Sequence, residues 1–226
     1  MNRSKIVLAC VLAGSMGSVW ATTVTGDHFS LSGTAGQFGA MSASGNVAYF
    51  NPGSSPGFTA YSTDGTVTSS EDRSFSVQAA PGYQITGFTL QAFGNYAYFI
   101  DSHASVGVSG SITVIPVTSS LSTPAFAGYS SEIIDRQTWA ASASTIGGTY
   151  PGAATVRLQM ALTAFADPND PGVDPFYNYA VIENRELQLT VTTAAVAVPE
   201  PPVTILMLAG LGAIGLVAGR RRRQQA

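Results

Sequence analysis

Apolar and polar residues alternate most clearly towards the end of the central region. The apolar positions of this segment are Val156, Leu158, Met160 and Leu162. Arg157 and Gln159 lie between them, so one side of an extended chain is apolar and the other is polar, as in a half-buried β-strand. Leu158, Leu162 and Phe165 also follow helical spacing, which leaves a helix as the alternative for this segment.

The same two-residue period recurs in three other segments. Their apolar positions are Phe75, Val77 and Ala79; Val106, Val108, Ile112 and Val114; and Leu187, Leu189 and Val191. Between Tyr83 and Ala92 the apolar positions change parity at Gly87, from Ile85 to Phe88. Because one extra residue in a strand turns the later side chains to the other face, this change predicts a β-bulge.

Many short strands with 24 Gly and 12 Pro in the chain, and no alternating helices between them, predict an all-β fold. We expect an antiparallel β-sandwich-like ectodomain over residues 22–196. All 11 Phe and 9 Tyr lie between Phe29 and Tyr179, so this region has the large side chains that a buried core needs. Residues 1–21 and 197–226 differ from it in pattern and flank it as separate segments.

The first flanking segment has the pattern of a secretory signal peptide. Arg3 and Lys5 precede an apolar stretch over Ile6–Gly14, and small residues lead to a cleavage site between Ala21 and Thr22. This pattern predicts export through the Sec machinery and a mature chain that begins at Thr22. A retained N-terminal segment, as a membrane anchor or a buried helix, is one alternative. A lipoprotein attached through Cys10, the only cysteine of the chain, is the other.

The second flanking segment has three parts in a fixed order. Val198-Pro199-Glu200-Pro201-Pro202 cannot be crossed by a helix. Val203–Gly219 then contains 17 uncharged residues, and a helix of that length spans about 25 Å, close to the thickness of a bilayer core. The segment ends on four basic residues, Arg220, Arg221, Arg222 and Arg223. Clustered arginines stay on the cytoplasmic side, so a single transmembrane helix would place the ectodomain outside.

This three-part tail resembles the PEP-CTERM family, with Val198, Pro199, Glu200 and Pro201 matching the sorting motif. The resemblance implies an inner-membrane precursor, cleavage near the motif by an exosortase-type membrane protease, and delivery to the cell surface or extracellular matrix. An ordinary tail anchor is the alternative. The tail is also similar to the C-terminal domain of ice-binding proteins. The Thr-x-Thr segments of this chain lie at unequal intervals, however, and form no solenoid repeat.

Charge is divided sharply along the chain. Between Thr22 and Glu200 there are four arginines and all 13 carboxylates, a formal balance of −9. A lysine-free, acidic region repels phosphate groups, so nucleic-acid binding is excluded as a function class. Without Cys10, the mature chain would also lack disulfides and thiol chemistry.

Catalytic groups are few. His28 and His103 are the only histidines. Neighbouring carboxylates occur at Glu71-Asp72 and at Glu132 with Asp135, and such pairs could hydrolyse glycosides across a cleft, although solvated surface acids are the simpler interpretation. We therefore expect no enzymatic activity and no catalytic residues.

An acidic loop is the one candidate metal site. Its oxygen ligands would be Asp167, Asn169, Asp170 and Asp174. Calcium prefers six to eight such oxygens, but turn chemistry alone also explains a loop rich in Asp, Asn, Pro and Gly. Calcium is the only cofactor that the sequence suggests.

Two functions remain open for the ectodomain. The first is a non-enzymatic envelope or matrix protein associated with surface polysaccharide. The alternative is a carbohydrate-binding β-sandwich module, and a glycan hydrolase is weaker still. Tyr96, Tyr98 and Phe99, or the loop Phe176–Tyr179, could stack on sugar rings, although core packing explains these aromatic residues equally.

Overall fold

A computed structural model describes residues 21–53, 57–98, 104–123, 126–128, 137–167 and 179–197, together with Met207 and Leu211. Thirteen strands and one short 3-10 helix (Gly36–Phe38) form these parts of the chain. The strands are β1 (Thr22–Thr25), β2 (Phe29–Gly33), β3 (Ala40–Ser44), β4 (Val47–Asn51), β5 (Thr59–Ser62), β6 (Gly65–Ala79), β7 (Tyr83–Tyr98), β8 (Ala104–Val114), β9 (Val117–Ser122), β10 (Phe126–Gly128), β11 (Gln137–Tyr150), β12 (Ala153–Ala166) and β13 (Ala180–Ala195).

The strands form two antiparallel sheets. The first sheet has the order β1-β2-β6-β12-β8-β10, with β9 also paired to β8. The second has the order β11-β7-β13-β4-β3, with β5 also paired to β13. The predicted all-β fold of antiparallel sheets is confirmed. The segment that allowed a helical alternative is the long strand β12, so that alternative is wrong.

The inward-facing side chains of both sheets form one apolar core. Phe50 of the second sheet makes an edge contact with Phe75 of the first, with ring centroids 5.1 Å apart. Phe38, from the 3-10 helix, packs edge-on against Phe50 and Phe58. All members of this core lie between Phe29 and Val191, so the described core is formed wholly within residues 22–196.

The β-bulge predicted at Gly87 is present. Thr192 of β13 lies opposite Gly87, whereas the next residue, Thr193, lies opposite Ile85. Thr86 is therefore the extra residue of β7, and both Ile85 and Phe88 are buried although they differ in parity. The prediction from apolar parity is confirmed, because the bulge restores the inward orientation of the apolar residues.

Candidate functional site

A cleft opens on the outer face of the second sheet. It has a volume of about 440 Å³ and is lined by Phe93–Asn95 of β7, Thr138–Ala140 of β11 and Arg185 of β13. In the register of the sheet, Phe93 lies opposite Ala140 and Asn95 lies opposite Thr138. Thr138 and Ala140 are exposed, so these paired positions face solvent and form one continuous surface.

A second β-bulge positions the charged wall of this cleft. Asn184 of β13 lies opposite Gly94, but Glu186 lies opposite Phe93, which leaves Arg185 as the extra residue. Apolar positions of β13 accordingly change parity, from the buried Ile182 to the buried Leu187. The bulge interrupts the regular alternation and brings Arg185 to the rim of the cleft.

The floor of the cleft depends on a glycine. The indole of Trp139 lies so close to Gly94 that a Cβ atom there would be 2.6 Å from the ring carbons Cε2 and Cζ2, and it would collide with the carbonyl oxygen of Glu183. Trp139 is only 3% exposed, and its Nε1 donates a hydrogen bond to that same Glu183 oxygen at 3.2 Å. The indole thus ties β11 to β13 across β7.

Three hydrogen bonds converge on one carboxylate oxygen beside the cleft. Oε1 of Glu183 accepts hydrogen bonds from Nε of Arg185 at 3.0 Å, from Nη2 of Arg185 at 2.7 Å and from Nδ2 of Asn95 at 3.4 Å. The side chain of Arg185 is 38% exposed and that of Glu183 is 19% exposed. These contacts fix polar groups at a solvent-accessible position, where they can bind hydroxyl groups of a ligand.

The outer face of the first sheet is different in chemistry. Its outward positions include Ser76, Ser74, Ser70, Thr68, Thr155, Thr163, Ser111, Ser109, Thr118 and Ser120. At its centre Nε of Arg157 donates to Oδ1 of Asp72 at 2.9 Å, and this hydrogen bond holds the pKa of Asp72 below its usual value. Gln159 in turn donates to Asp72 at 3.0 Å and accepts from Ser111 at 3.1 Å. At the centre of this face, Arg157, Asp72, Gln159 and Ser111 therefore bind each other.

The first predicted carboxylate pair is not arranged for hydrolysis. Glu71 is buried on the inner side of β6 and pairs with Arg73, whereas Asp72 points to solvent. Consecutive strand residues face opposite sides of a sheet, so these two acids cannot flank one substrate. Interpreting Glu71 as a solvated surface acid is also wrong, because the 3-10 helix covers it at Gly36, which leaves no room for a Cβ atom beside its carboxylate.

The other candidate residues lie in different places. The ring of His28 stacks on Tyr83, with centroids 4.0 Å apart. His103, Glu132 and Asp135 lie outside the described residues.

The acidic loop is described only at its first residue, Asp167. The remaining predicted calcium ligands are Asn169, Asp170 and Asp174, and they lie outside the described residues. Within the described ranges no three His, Cys, Asp or Glu side chains are grouped to hold a metal ion. Calcium binding at this loop stays a prediction.

The predicted sugar-stacking tyrosines belong to the interior. Tyr98 is buried, and Tyr96 packs against the core. The rings of Tyr96 and Tyr98 stack on each other, with their centroids 6.1 Å apart. Desolvation raises the pKa of Tyr96. Core packing is therefore the correct interpretation of both residues. Tyr179, the described end of the aromatic loop, stacks on the exposed Tyr61 at 6.4 Å.

Sequence reasoning did not identify the residues of the cleft. Phe93, Trp139 and Arg185 come from three strands, and only the register brings them together. One signal was present in the sequence. The polar run Asn184-Arg185-Glu186 separates apolar positions of opposite parity, which is the same sign that predicted the bulge at Gly87.

The predicted ends of the mature domain can be located on the structure. Thr22, which we predict to follow the cleavage after Ala21, is the first residue of β1. At the other end β13 stops at Ala195. The sorting residues Val198, Pro199, Glu200 and Pro201 and the cluster Arg220–Arg223 lie outside the described residues. In the tail only Met207 and Leu211 are described, and both are helical and exposed.

A membrane-crossing helix is not found among the described residues, since none of their helical segments has the length and apolar character for it. No curated protein matches the chain. A family match is found at the C-terminus, where residues 197–223 match the PEP-CTERM protein-sorting motif. This range contains the proline-flanked glutamate, the apolar stretch and the arginines on which the resemblance was based. The chain therefore carries a PEP-CTERM sorting motif shortly after β13, the last β-strand that the structure describes.

Proposed function

We propose that this protein is a non-enzymatic component of the cell surface or extracellular matrix. The Sec machinery exports it, a single transmembrane helix holds the precursor in the inner membrane, and an exosortase-type protease cuts near Val198-Pro199-Glu200-Pro201. The released β-sandwich domain stays associated with extracellular polysaccharide. No nucleic acid takes part, because the acidic region between Thr22 and Glu200 would repel it.

The observation that carries this proposal is the motif match at residues 197–223 and its position. The motif begins two residues after β13 ends at Ala195. Proline lacks a donor N–H and disfavours helix in the residue before it, so we expect the Pro-Glu-Pro segment to be extended between the domain and the membrane. An extended backbone at this boundary is accessible to a membrane-embedded protease.

Processing in the native host tests the proposal. Pro199→Ala combined with Glu200→Ala should leave a full-length precursor in the membrane fraction, whereas Pro202→Ala, a proline substitution just after the motif, should be processed like the parent. Changing Arg220, Arg221, Arg222 and Arg223 to Gln should loosen membrane retention and reduce processing, because charges at the bilayer centre cost about 2.5 to 3.5 kcal/mol each. Normal processing of the Pro199/Glu200 variant would contradict this proposal and would indicate that the tail is a simple membrane anchor.

A carbohydrate-binding module is the second candidate for the ectodomain. The cleft of the second sheet favours it, because a pocket with an aromatic wall and a few fixed polar groups suits a small ligand. Incubating residues 22–196 with glycans and measuring new reducing ends separates binding from hydrolysis. Release of reducing ends would contradict a non-enzymatic role.

A further inference from the structure

We propose that the cleft lined by Phe93, Asn95 and Arg185 binds a neutral pyranose residue of an extracellular glycan. The sugar would lie with its C–H face on Phe93 and with hydroxyl groups towards Arg185 and Asn95. This inference rests on the proposed association with polysaccharide and assigns that association to one site. Glu183 positions the polar side chains, and Trp139 supports the floor.

The position of Phe93 is unusual for a phenylalanine. It faces outward beside Ala140 and Glu186 in the sheet register, and it does not belong to the apolar core or to the partly buried side chains that pack on the core. Its ring therefore adds apolar surface beside the small Ala140 and the charged Glu186. A flat apolar surface in a cleft is a suitable contact for the C–H groups of a pyranose ring.

The polar side chains of the cleft still have hydrogen-bonding capacity. Arg185 uses Nε and Nη2 for Glu183, and Asn95 uses Nδ2. Within the described parts of the chain, Nη1 of Arg185 and Oδ1 of Asn95 have no hydrogen-bond partner. One is a donor and the other an acceptor. A sugar hydroxyl both donates and accepts, so a pair of this kind can bind one or two hydroxyl groups.

The site is held in place before any ligand arrives. The bulge fixes the backbone of Arg185. Two hydrogen bonds to Glu183 fix its guanidinium group. Close packing of Trp139 on Gly94 fixes the floor. Because these groups lose little freedom on binding, the entropic cost of complex formation is reduced.

Charge selects neutral glycans over acidic ones. Among the residues that the structure describes, the charged groups next to the cleft are Glu183, Arg185 and Glu186. They carry an excess of one negative charge, and Arg185 is paired with Glu183. The region from Thr22 to Glu200 has a formal balance of −9. A uronate chain would therefore meet net repulsion, whereas a neutral glycan would not.

Calorimetric titration of residues 22–196 tests the inference with defined oligosaccharides. The neutral ligands are cellohexaose, maltohexaose and mannohexaose, and the acidic ligand is hexagalacturonate. At least one neutral ligand should bind, and hexagalacturonate should bind more weakly or not at all. Binding of none of the neutral ligands, or tighter binding of hexagalacturonate, would overturn the inference.

Matched substitutions on the two sheets locate the binding site. Phe93→Ser and Arg185→Gln should each weaken binding about tenfold or more. The controls are Phe165→Ser and Arg157→Gln, because Phe165 and Arg157 also face outward but lie on the first sheet. They should bind like the parent. Phe93→Leu keeps an apolar side chain without a flat ring and should resemble Phe93→Ser, even if the serine variant were poorly folded. Equal weakening by the Phe93 and Phe165 variants would place binding elsewhere.

A pull-down with surface polysaccharide from the native host distinguishes this inference from the proposed function. If the parent domain and Phe93→Ser are captured equally, the association is retained and the cleft assignment is wrong. If the parent is not captured but binds a neutral oligosaccharide, glycan binding at the cleft is retained. The proposed association with the host's polysaccharide is then wrong.

Discussion

The two outer faces of the sandwich are both exposed to solvent, but their side chains are arranged differently. On the first sheet, rows of serine and threonine surround a network in which Arg157, Asp72, Gln159 and Ser111 bind each other. On the second sheet, a bulge at Arg185 and a glycine at position 94 open a cleft beside Phe93. At the centre of the first face, regular pairing places Asp72, Arg157 and Gln159 where they satisfy one another. An irregular register leaves hydrogen-bonding groups available to a ligand.

The difference has a physical origin in β-strand geometry. Side chains on a regular sheet project in parallel at fixed spacing, so neighbouring polar groups reach each other easily. An extra residue in one strand changes the direction of a side chain and disturbs the local pairing. Four substitutions, ordered from the largest expected effect to the smallest, test the two faces and the interior below the second sheet.

The largest effect is expected for Gly94→Ala. The new Cβ would meet the Trp139 ring at 2.6 Å and collide with the Glu183 carbonyl, so we expect a loss of about 1–3 kcal/mol in the free energy of unfolding. Gly107→Ala is the matched control on the first sheet, since nothing lies within 4 Å of a Cβ at that position. Urea denaturation of both variants measures the difference. Equal stability of the two would show that the floor of the cleft is not tightly packed.

Trp139→Phe should have the next largest effect. The substitution removes the hydrogen bond from Nε1 to the Glu183 carbonyl oxygen, and a typical intramolecular bond of this kind contributes about 1 kcal/mol. Thermal denaturation should show a lower melting temperature, and neutral glycan binding should weaken because the Glu183 segment is less well held. An unchanged melting temperature together with unchanged binding would mean that this contact does not support the cleft.

Tyr96→Phe tests the interior below the second sheet through pH. Burial raises the pKa of Tyr96 above 10.0, so the neutral phenol contributes stability that is fully present below pH 10 and is lost as the pH rises through the higher folded pKa. The free energy of unfolding of the parent should fall more steeply above pH 10 than that of Tyr96→Phe. Identical alkaline slopes would argue against desolvation of this hydroxyl.

Asp72→Asn should have the smallest effect. Its hydrogen bond to Arg157 lowers the pKa below 3.8, so its contribution is present above the unfolded value and is lost as the pH falls through the folded pKa. The pair is exposed and screened by solvent. The difference in stability between the parent and Asp72→Asn should therefore be small at neutral pH, shrink with added salt and vanish in acid. A large, salt-independent difference would contradict the solvated character of the first face.

The sequence was sufficient for features that depend on local pattern. Alternation at Phe75–Ala79 and Val156–Leu162 correctly predicted strands, and the parity change at Gly87 correctly predicted a bulge. The sorting motif was also readable, because a linear signal does not depend on folding. By contrast, Glu71 looked like a surface acid because sequence alone did not show that the 3-10 helix at Gly36 would cover it.

The residues of the cleft could not be predicted from the sequence, for a different reason. Phe93, Trp139 and Arg185 are separated by more than forty residues at each step, and β11 pairs with β7 whereas β13 lies on the other side of β7. Only strand order and register bring them together. Sequence periodicity fixes which face a residue occupies, but it does not determine which strands become neighbours.

The claim that the second sheet carries the ligand-binding face is tested most directly by NMR. Titration of ¹⁵N-labelled residues 22–196 with the host's neutral surface polysaccharide should shift the amide signals of Phe93, Asn95, Thr138 and Arg185 and the indole N–H signal of Trp139. Signals of Ser109, Ser111 and Gln159 on the first sheet should stay in place. Shifts confined to the first sheet, with the cleft signals unchanged, would contradict the account.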